Sequence, residues 1–357
     1  MKGKFSEEML TNSDQNAMDN RALVIDTATL TEIIQSLSEK LKAHYVFPDV
    51  AAEICMRLQQ HLADGEYDTI TDGEFLALAL TTHMQAVNQD KHLGVKWYPE
   101  PLPDHAGSLL QNPERVDEWK QRARLDNYGV HKVERLAGNV GYIDIRYFYR
   151  TSWGSGDTIV AAMNFLANMH AVIVDLRECA GGNPGTVAMI SSYFFAEEPV
   201  HLNSLYWRGD DLTEQYWTLP YVPGQRLADT PVYILTSKDT FSGGEEFAYN
   251  LQTRQRATLV GETTGGGAHP GSPYRLHPHF EVFIPRGRAI NPITNENWEG
   301  CGVHPDVPVT QEQALEVAYR LALESIIASL RQPASRPFSL LLEEASAALE
   351  DIENVKM

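Results

Sequence analysis

The sequence predicts an α/β fold built on a mainly parallel sheet, and two observations indicate it. Short apolar, β-branched runs recur in the second half of the chain and fit buried strands, at 140–148, 171–176, 231–237 and 257–261. Helical stretches separate them, at 156–169, 184–195 and 243–254. Strands that alternate with helices require crossover connections, so we expect parallel strands covered on both faces.

The segment before this core predicts a small helical domain. Apolar residues recur at helical spacing after a cap at Asp26 or Thr27, namely Leu30, Ile33, Ile34, Leu37 and Leu41. Two further helices are expected over 48–62 and 72–87, and the alternating segment 93–98 reads as a strand.

Composition shifts divide the chain into five parts. We expect a disordered or added tail (1–21), an N-terminal helical domain (22–98), a proline- and charge-rich linker or covering loop (99–130), the α/β core (131–310) and a C-terminal helical segment (311–357).

The charge balance excludes several classes of partner. The 29 basic and 48 acidic side chains give a formal net charge of -19, which repels phosphate backbones and anionic lipid surfaces. Three distant cysteines suggest neither a disulfide framework nor a CxxC metal site. We therefore expect no nucleic-acid partner, no metal and no cofactor; the oligomeric state stays open.

The cellular compartment is predicted from what the sequence contains. The first twenty residues are polar and lack the apolar run of a signal peptide, and no stretch approaches the roughly 20 apolar residues of a membrane span. As given, the chain reads as cytoplasmic, or as periplasmic or secreted if a signal peptide was removed.

Two glycine-rich turns could carry chemistry. In TSKDTFSGGEEFAYNL (236–251) a strand ends, Ser242 follows, and two glycines open a helix, so the Gly243 N–H could stabilise an oxyanion. In VIVDLRECAGGNPGTVAM (172–189), Gly181 and Gly182 allow close backbone approach before another helix. Taken singly, each turn could equally be structural, with Ser242 a helix cap.

A nucleophilic serine needs a base, and twelve histidines are candidates. His92 lies in QDKHLGV at a helix-to-strand junction and is the first choice. His269, in the glycine-rich loop GGGAHPG, is the second. Spacing alone does not choose between them.

Four ordered motifs, DLRxCxGG, TSxxTxSGGEE, VGETTGGG and NWEGCGVHPD, resemble the S41 family of C-terminal processing (tail-specific) peptidases over about residues 130–310. The helical N-terminal domain and the DKHL segment are most similar to the branch of interphotoreceptor retinoid-binding protein and the tricorn core. The resemblance implies a ClpP/crotonase-type core and a peptide or unfolded-protein substrate.

The resemblance also implies a catalytic scheme. Enzymes of the Ser-Lys branch carry their lysine 25 residues after the serine, where this chain has Gly267. The tricorn-like branch instead uses a histidine before the core and a glutamate after it, which map onto His92 and Glu299.

Two positions depart from the family pattern. Lys91 stands where the tricorn-like branch has a serine, so Glu299 is expected either to contact His92 directly or to pair with Lys91. Cys179 replaces the asparagine of DLRxNxGG, and a buried neutral thiol there is expected to pack rather than react. Residues 99–138 are too few for the PDZ domain of the processing peptidases.

The functional hypothesis is therefore a serine peptidase. Ser242 is its nucleophile, His92 its base, and Glu299 orients the imidazole, with Gly181, Gly182 and Gly243 around the oxyanion and Lys91 and His269 as relay or substrate contacts. The alternative is a binding module for an apolar small molecule of the retinoid or fatty-acid kind, with little or no catalysis.

Overall fold

A computed structural model describes residues 25–105, 107–330 and 335–354. Its helices are α1 (Thr27–His44), α2 (Pro48–Ala63), α3 (Gly73–Asn88), α4 (Pro113–Leu125), α5 (Ser155–Leu166), α6 (Pro184–Ser192), α7 (Gly243–Thr253), α8 (Gln311–Ser329) and α9 (Arg336–Asn354). Its strands are β1 (Gly94–Trp97), β2 (Val130–Leu136), β3 (Val140–Ile145), β4 (Ala171–Asp175), β5 (His201–Trp207), β6 (Leu212–Trp217), β7 (Val232–Thr236), β8 (Thr258–Gly261), β9 (Gly271–His277), β10 (Phe280–Pro285), β11 (Gly287–Ile290) and β12 (Val307–Pro308).

The central sheet has the strand order β12-β8-β7-β4-β3-β2. All neighbouring pairs are parallel except β2 with β3. Every residue of β4 and β7 is buried, as expected for strands covered on both faces. The predicted α/β class with a mainly parallel sheet and flanking helices is confirmed.

Two apolar clusters cover the faces of this sheet. Helices α5, α6 and α7 contribute to one cluster, through side chains such as Met163, Val187 and Phe247. Helices α8 and α9 cover the other face, where Leu323 of α8 is fully buried. The carboxyl ends of β4 and β7 lead into α6 and α7, so both glycine-rich turns lie at the same edge of the sheet.

The N-terminal helices pack on a part of the chain that the sequence did not connect with them. Strand β1 pairs with β10, and β10 pairs with β9, in an antiparallel three-stranded sheet. Phe280, Val282 and Ile284 of β10 share one buried cluster with Leu37 of α1. Segment 271–285 thus leaves the core to complete the N-terminal unit.

A third sheet, with the order β11-β5-β6, was also missed. Its β11–β5 pairing joins residues 80 or more positions apart along the chain, for example Ala289 with Leu205, whereas β5 and β6 are neighbours in sequence. Local alternation does not encode such a distant partner.

The segment predicted as a linker or covering loop, 99–130, contains helix α4. Asn112 caps this helix by accepting a hydrogen bond from the Arg115 N–H, and Pro113 occupies its first turn. Only Ala123 of α4 is buried, so the helix lacks the apolar periodicity by which sequence analysis finds helices.

The proposed tail at 1–21 lies outside the described residues. Among the helices that are described, none is long and apolar enough to cross a membrane.

Candidate active site

Ser242 occupies a strained turn between β7 and α7. Its backbone angles are φ 51° and ψ −116°, a conformation that costs a non-glycine residue about 1–3 kcal/mol. Its N–H donates to the Glu245 carboxylate at 2.8 Å, and Ser242 lines a cleft together with Gly243 and Gly182. The turn therefore presents the serine at the positive end of a helix and at the wall of a cleft.

The turn at Gly182 packs directly against the start of α7. Gly182 has φ 136°, and an added Cβ would lie 2.3 Å from the Phe148 carbonyl oxygen, so only glycine fits there. A Cβ on Gly243 would lie 2.9 Å from the Gly182 nitrogen. Within the described part of the chain, neither the Gly182 N–H nor the Gly243 N–H has a backbone acceptor, which leaves both free at the cleft.

Gly181 and Cys179 face the interior beneath this turn. Burial raises the pKa of Cys179 to about 12, and the Gly181 N–H hydrogen-bonds the sulfur. A thiol that stays protonated is a poor nucleophile, so Cys179 behaves as a packing residue. The Gly181 N–H therefore faces the Cys179 sulfur, whereas the Gly182 N–H has no backbone acceptor among the described residues.

Glu245 holds the Ser242 turn against the loop 264–267. Its fully buried carboxylate accepts four hydrogen bonds, from Ser242 N, Thr264 Oγ1, Gly266 N and Gly267 N, at 2.5–2.8 Å. Burial raises its pKa, while these hydrogen bonds lower it. Glu245 was not predicted as a functional residue, although an acid at the third position of a helix that follows a serine N-cap is a recognisable signal.

His92 lies beside the Ser242 turn, on the segment after α3. Its ring packs against Phe241, the residue before Ser242, with ring centroids 4.6 Å apart. A Cβ on Gly267 would lie 2.7 Å from His92 Cε1. The imidazole therefore fills the space next to the position where a dyad lysine would stand. Among the described residues no hydrogen bond joins His92 to the Ser242 hydroxyl.

A buried acid, Asp90, organises the groups around His92. It accepts hydrogen bonds from the Tyr45 hydroxyl at 2.9 Å and from the His92 N–H at 3.1 Å. His269 Nδ1 lies 2.9 Å from Asp90 Oδ2 and 3.3 Å from Glu299 Oε2. Asp90 was not among the predicted site residues, because no local feature of the sequence distinguishes one acid in a polar segment.

Glu299 completes this cluster. The Ala268 N–H donates to Glu299 Oε2 at 2.6 Å, while Oε1 is buried and has no partner among the described residues. A ring nitrogen of His92 and one carboxylate oxygen each from Asp90 and Glu299 lie within 4.8 Å of one another. The structure thus brings together His92, Glu299 and His269 from three distant segments.

Burial changes the protonation of these groups. It raises the pKa of Glu299 to about 7, assisted by the negative charge of Asp90. It lowers the pKa of His92 to about 4, against the opposing attraction of Asp90. At neutral pH His92 is therefore a neutral imidazole, the form that accepts a proton.

Lys91 does not join this cluster. Its ammonium group is exposed and donates to the Gly265 carbonyl oxygen at 2.6 Å. Lys91 therefore does not pair with Glu299, and among the described residues His92 Nδ1 and Glu299 Oε1 also lack a hydrogen-bond partner.

Two groups of side chains place three metal-ligand atoms within 4.8 Å of one another, Asp90/His92/Glu299 and His61/Glu66/His83. In the first group Asp90 accepts a hydrogen bond from the Tyr45 hydroxyl, and in the second His83 Nδ1 lies 2.8 Å from the Tyr67 hydroxyl. No step of the chemistry below uses a metal.

Comparison with known proteins assigns this architecture. The sequence profile of peptidase family S41 matches residues 139–309, and the profile described as the N-terminal domain of peptidase S41 in eukaryotic IRBP matches residues 15–123. The chain belongs to peptidase family S41.

Curated relatives in this family match the core. The carboxyl-terminal-processing protease of Picosynechococcus is 28% identical over 181 residues, which are 50% of this chain and 41% of that protein. The chloroplastic carboxyl-terminal-processing peptidase 1 of Arabidopsis thaliana is 25% identical over 181 residues, 50% of this chain and 35% of that protein. The S41 chain thus spans less than half the length of these relatives.

Solved structures share the fold at low sequence identity. The tricorn protease superposes with a TM-score of 0.54 at 14% identity, covering 85% of this chain and 37% of that one. A lipoprotein from Streptococcus agalactiae superposes with a TM-score of 0.52 at 14% identity, covering 82% and 96%. Both share the fold over more than four fifths of this chain.

Proposed function

We propose that this S41 chain is a serine peptidase in which Ser242 is the nucleophile, His92 the general base and Glu299 the group that orients and charges the imidazole. One observation carries the proposal. The strained Ser242 turn and two free backbone N–H groups, from Gly182 and Gly243, meet at a single cleft.

The reaction follows from these positions. Ser242 Oγ attacks the carbonyl carbon of a peptide bond and passes its proton to His92, while the Gly182 and Gly243 N–H groups stabilise the oxyanion. The intermediate collapses as His92 protonates the departing amine, which leaves an acyl ester on Ser242. Water, deprotonated by His92, then hydrolyses the ester and restores the serine.

His92 and Ser242 must approach each other for the first step. Catalytic hydrogen bonds are often formed only when substrate is bound, and the Phe241 ring that packs against His92 belongs to the residue next to the proposed nucleophile. We infer that substrate in the cleft shifts this aromatic contact. His269, held between Asp90 and Glu299, acts as a positioning residue for Glu299.

The experiment that tests the proposal is labelling with a fluorophosphonate probe, followed by peptide mapping of the modified residue. We expect one modified residue, Ser242, and loss of both labelling and peptide hydrolysis in a folded Ser242→Ala variant. Circular dichroism of the variant is the folding control.

The same experiment separates the second hypothesis. An apolar ligand-binding module would leave the probe unreacted, and its tryptophan fluorescence would be quenched saturably by retinol or a fatty acid. The small cleft with an acid, Glu246, in its wall does not favour an apolar ligand. Labelling at any residue other than Ser242 would also contradict the proposed nucleophile.

A further inference from the structure

Three side chains of the N-terminal unit form a polar cluster that the proposed reaction does not use. His61 lies in the last turn of α2, Glu66 follows in the turn after that helix, and His83 lies on α3. None of the three lines the cleft beside Ser242. The packing of α2 against α3 brings them together.

Each of these side chains contributes an atom of a kind that binds metal ions. His61 Nδ1 lies 2.8 Å and His83 Nε2 lies 3.9 Å from the same oxygen, Glu66 Oε2. All three ligand atoms lie within 4.8 Å of one another. In a tetrahedral zinc site with bonds of about 2.0–2.1 Å, neighbouring ligand atoms are about 3.3 Å apart. Small side-chain movements would therefore bring all three atoms to bonding distance of one ion.

The contact between His61 and Glu66 is short without being a hydrogen bond. His61 Nδ1 is buried and has no hydrogen-bond partner among the described residues, although Glu66 Oε2 is 2.8 Å away. The two atoms are side by side but are not aligned for a hydrogen bond. Two ligands of one metal ion have this relation, because each directs its lone pair to the ion.

Glu66 is the acid that these two histidines share. In the part of the chain that the structure describes, no lysine or arginine pairs with its carboxylate, and its charged contacts are the two imidazoles. One carboxylate with two imidazoles is the ligand set of known zinc sites in which water fills the fourth position.

The imidazole rings of His61 and His83 are stacked, with centroids 3.9 Å apart and planes inclined by 21°. An ion held by both rings would tilt them further, so that each lone pair points at it. The side chains have room for this movement, because those of His61, His83 and Glu66 are 28%, 25% and 46% exposed. The cluster is thus close to a metal-binding geometry and free to reach it.

The far side of His83 is held as the rings of metal-bound histidines are held. Its Nδ1 lies 2.8 Å from the hydroxyl of Tyr67, a residue that is 1% exposed. When Nδ1 donates its proton to that oxygen, Nε2 keeps a free lone pair for a metal ion. A buried tyrosine therefore fixes the ring from behind.

We propose that His61, Glu66 and His83 bind a divalent transition-metal ion of the zinc class, with water as the fourth ligand. Two imidazole nitrogens and one carboxylate oxygen suit zinc, whereas calcium and magnesium take mainly oxygen ligands. The expectation of no metal site came from the distribution of the cysteines, and this site uses none. The inference does not depend on the proposed peptidase function.

A bound ion would join the end of α2 to α3. Helix α3 leads directly into the segment that carries Asp90 and His92. The unfolded chain does not hold the three ligands together, so the ion binds the folded state and stabilises it. We therefore assign the ion a structural role in the N-terminal unit.

The test is calorimetric titration of the chain with ZnCl₂ after dialysis against EDTA, with thermal unfolding measured at the same zinc concentrations. We expect a single equivalent of Zn²⁺ to bind at this site and to raise the unfolding temperature. His83→Gln and Glu66→Gln should each weaken that binding at least about a hundredfold, because each removes a ligand rather than an outer hydrogen-bond partner.

Glu74→Gln is the matched control, because it removes an exposed acid of α3 that lies outside the cluster. We expect this variant to bind zinc as tightly as the wild type. Glu66 lies in an exposed turn, so Glu66→Gln tests the site even if His83→Gln does not fold.

Loss of one bound equivalent that is confined to the two cluster variants supports the inference. Absence of zinc binding by the wild type overturns it. Binding that persists unchanged in Glu66→Gln and His83→Gln also overturns it, because other ligands, such as the group around Asp90, would then hold the ion. An equal loss in Glu74→Gln would assign the binding to general negative charge, and binding without a rise in unfolding temperature would remove the structural role.

Discussion

The backbone of Ser242 is strained, and the strained conformation presents the hydroxyl group that we propose as the nucleophile. The angles φ 51° and ψ −116° are accessible to glycine with little penalty and are unfavourable for any residue with a Cβ. The turn is held there by Glu245, which accepts the Ser242 N–H. The strained conformation is therefore imposed by the surroundings and presents the hydroxyl.

We expect Ser242→Gly and Ser242→Ala both to lose peptide hydrolysis by about a thousandfold or more. Ser242→Gly should unfold at a higher temperature than Ser242→Ala, because glycine relieves the strain that alanine retains. Scanning calorimetry of the two variants at one pH measures the difference. A lower unfolding temperature for the glycine variant would show that the turn stores no strain.

The acid-base pair sets the expected pH profile. In the proposed mechanism, hydrolysis needs neutral His92, present above its pKa of about 4, and ionised Glu299, present above its pKa of about 7. Asp90, His269 and Glu245 face this pair and contribute to its titration. We expect kcat/KM to rise with pH through about 7.

In Glu299→Gln that rise should move to lower pH, toward the titration of His92, and the plateau of kcat should fall by orders of magnitude with little change in KM. The profiles of wild type and variant over pH 4–9 are the measurement. A rise near pH 7 that persists in Glu299→Gln would assign it to a histidine instead.

The same shift has a consequence for stability. The folded pKa of Glu299, about 7, lies above the ordinary value of 4.5, so the unfolded chain gives up its proton first. The contribution of Glu299 to stability is thus fully present below pH 4.5 and is lost as pH rises through 7. Relative to wild type, we expect Glu299→Gln to gain thermal stability between pH 5 and pH 8; a constant difference across this range would contradict the raised pKa.

At the scale of elements, the Glu245 carboxylate fixes the loop 264–267. A glutamine at 245 keeps one acceptor oxygen and places an NH₂ group against N–H donors, so about half of the four hydrogen bonds are lost. We expect Glu245→Gln to destabilise the protein by about 2–4 kcal/mol and to lower kcat at least about tenfold. Hydrogen exchange of the Gly266 and Gly267 amides should accelerate with it.

Glu343→Gln, an exposed acid on α9, is the control and should change neither quantity. Unchanged exchange at Gly266 and Gly267 in Glu245→Gln would show that the loop is held by other contacts.

Elements that carry their own periodic signal were predictable from sequence. The core strands and helices were predicted because apolar spacing is a local signal, and Ser242 was proposed as the nucleophile because a serine and two glycines between a buried strand and a helix are a local signal as well. Helix α4 was not predicted because it buries only one residue. Sheet β1-β10-β9 was not predicted because its β1–β10 pairing joins residues almost 190 positions apart. Asp90, Glu245 and Glu246 were not predicted for a related reason, because their environments depend on burial and on residues distant in the sequence.

At the scale of the whole molecule, the site is shared by two units. Ser242, Gly182 and Glu299 belong to the core, whereas Asp90 and His92 follow helix α3 of the N-terminal unit. Tyr45, at the end of α1, donates to Asp90, so the helical unit holds the acid that positions the base segment. Activity should therefore depend on the packing of helices that lie away from the nucleophile.

Two buried leucines test this dependence with matched chemistry. Leu37 of α1 is buried in the apolar cluster of the N-terminal unit, and Leu323 of α8 is buried in the cluster between the C-terminal helices and the central sheet. Both residues are 0% exposed. Replacing either by alanine leaves a cavity and costs about 2–5 kcal/mol. We expect Leu37→Ala to lose hydrolysis at a lower urea concentration than it loses the bulk of its helical signal, because local opening of the N-terminal unit displaces His92 before the core unfolds. Leu323→Ala should lose hydrolysis and structure together. Coincident transitions in both variants would mean that the two units unfold together. Loss of activity would then not result from local opening of the N-terminal unit.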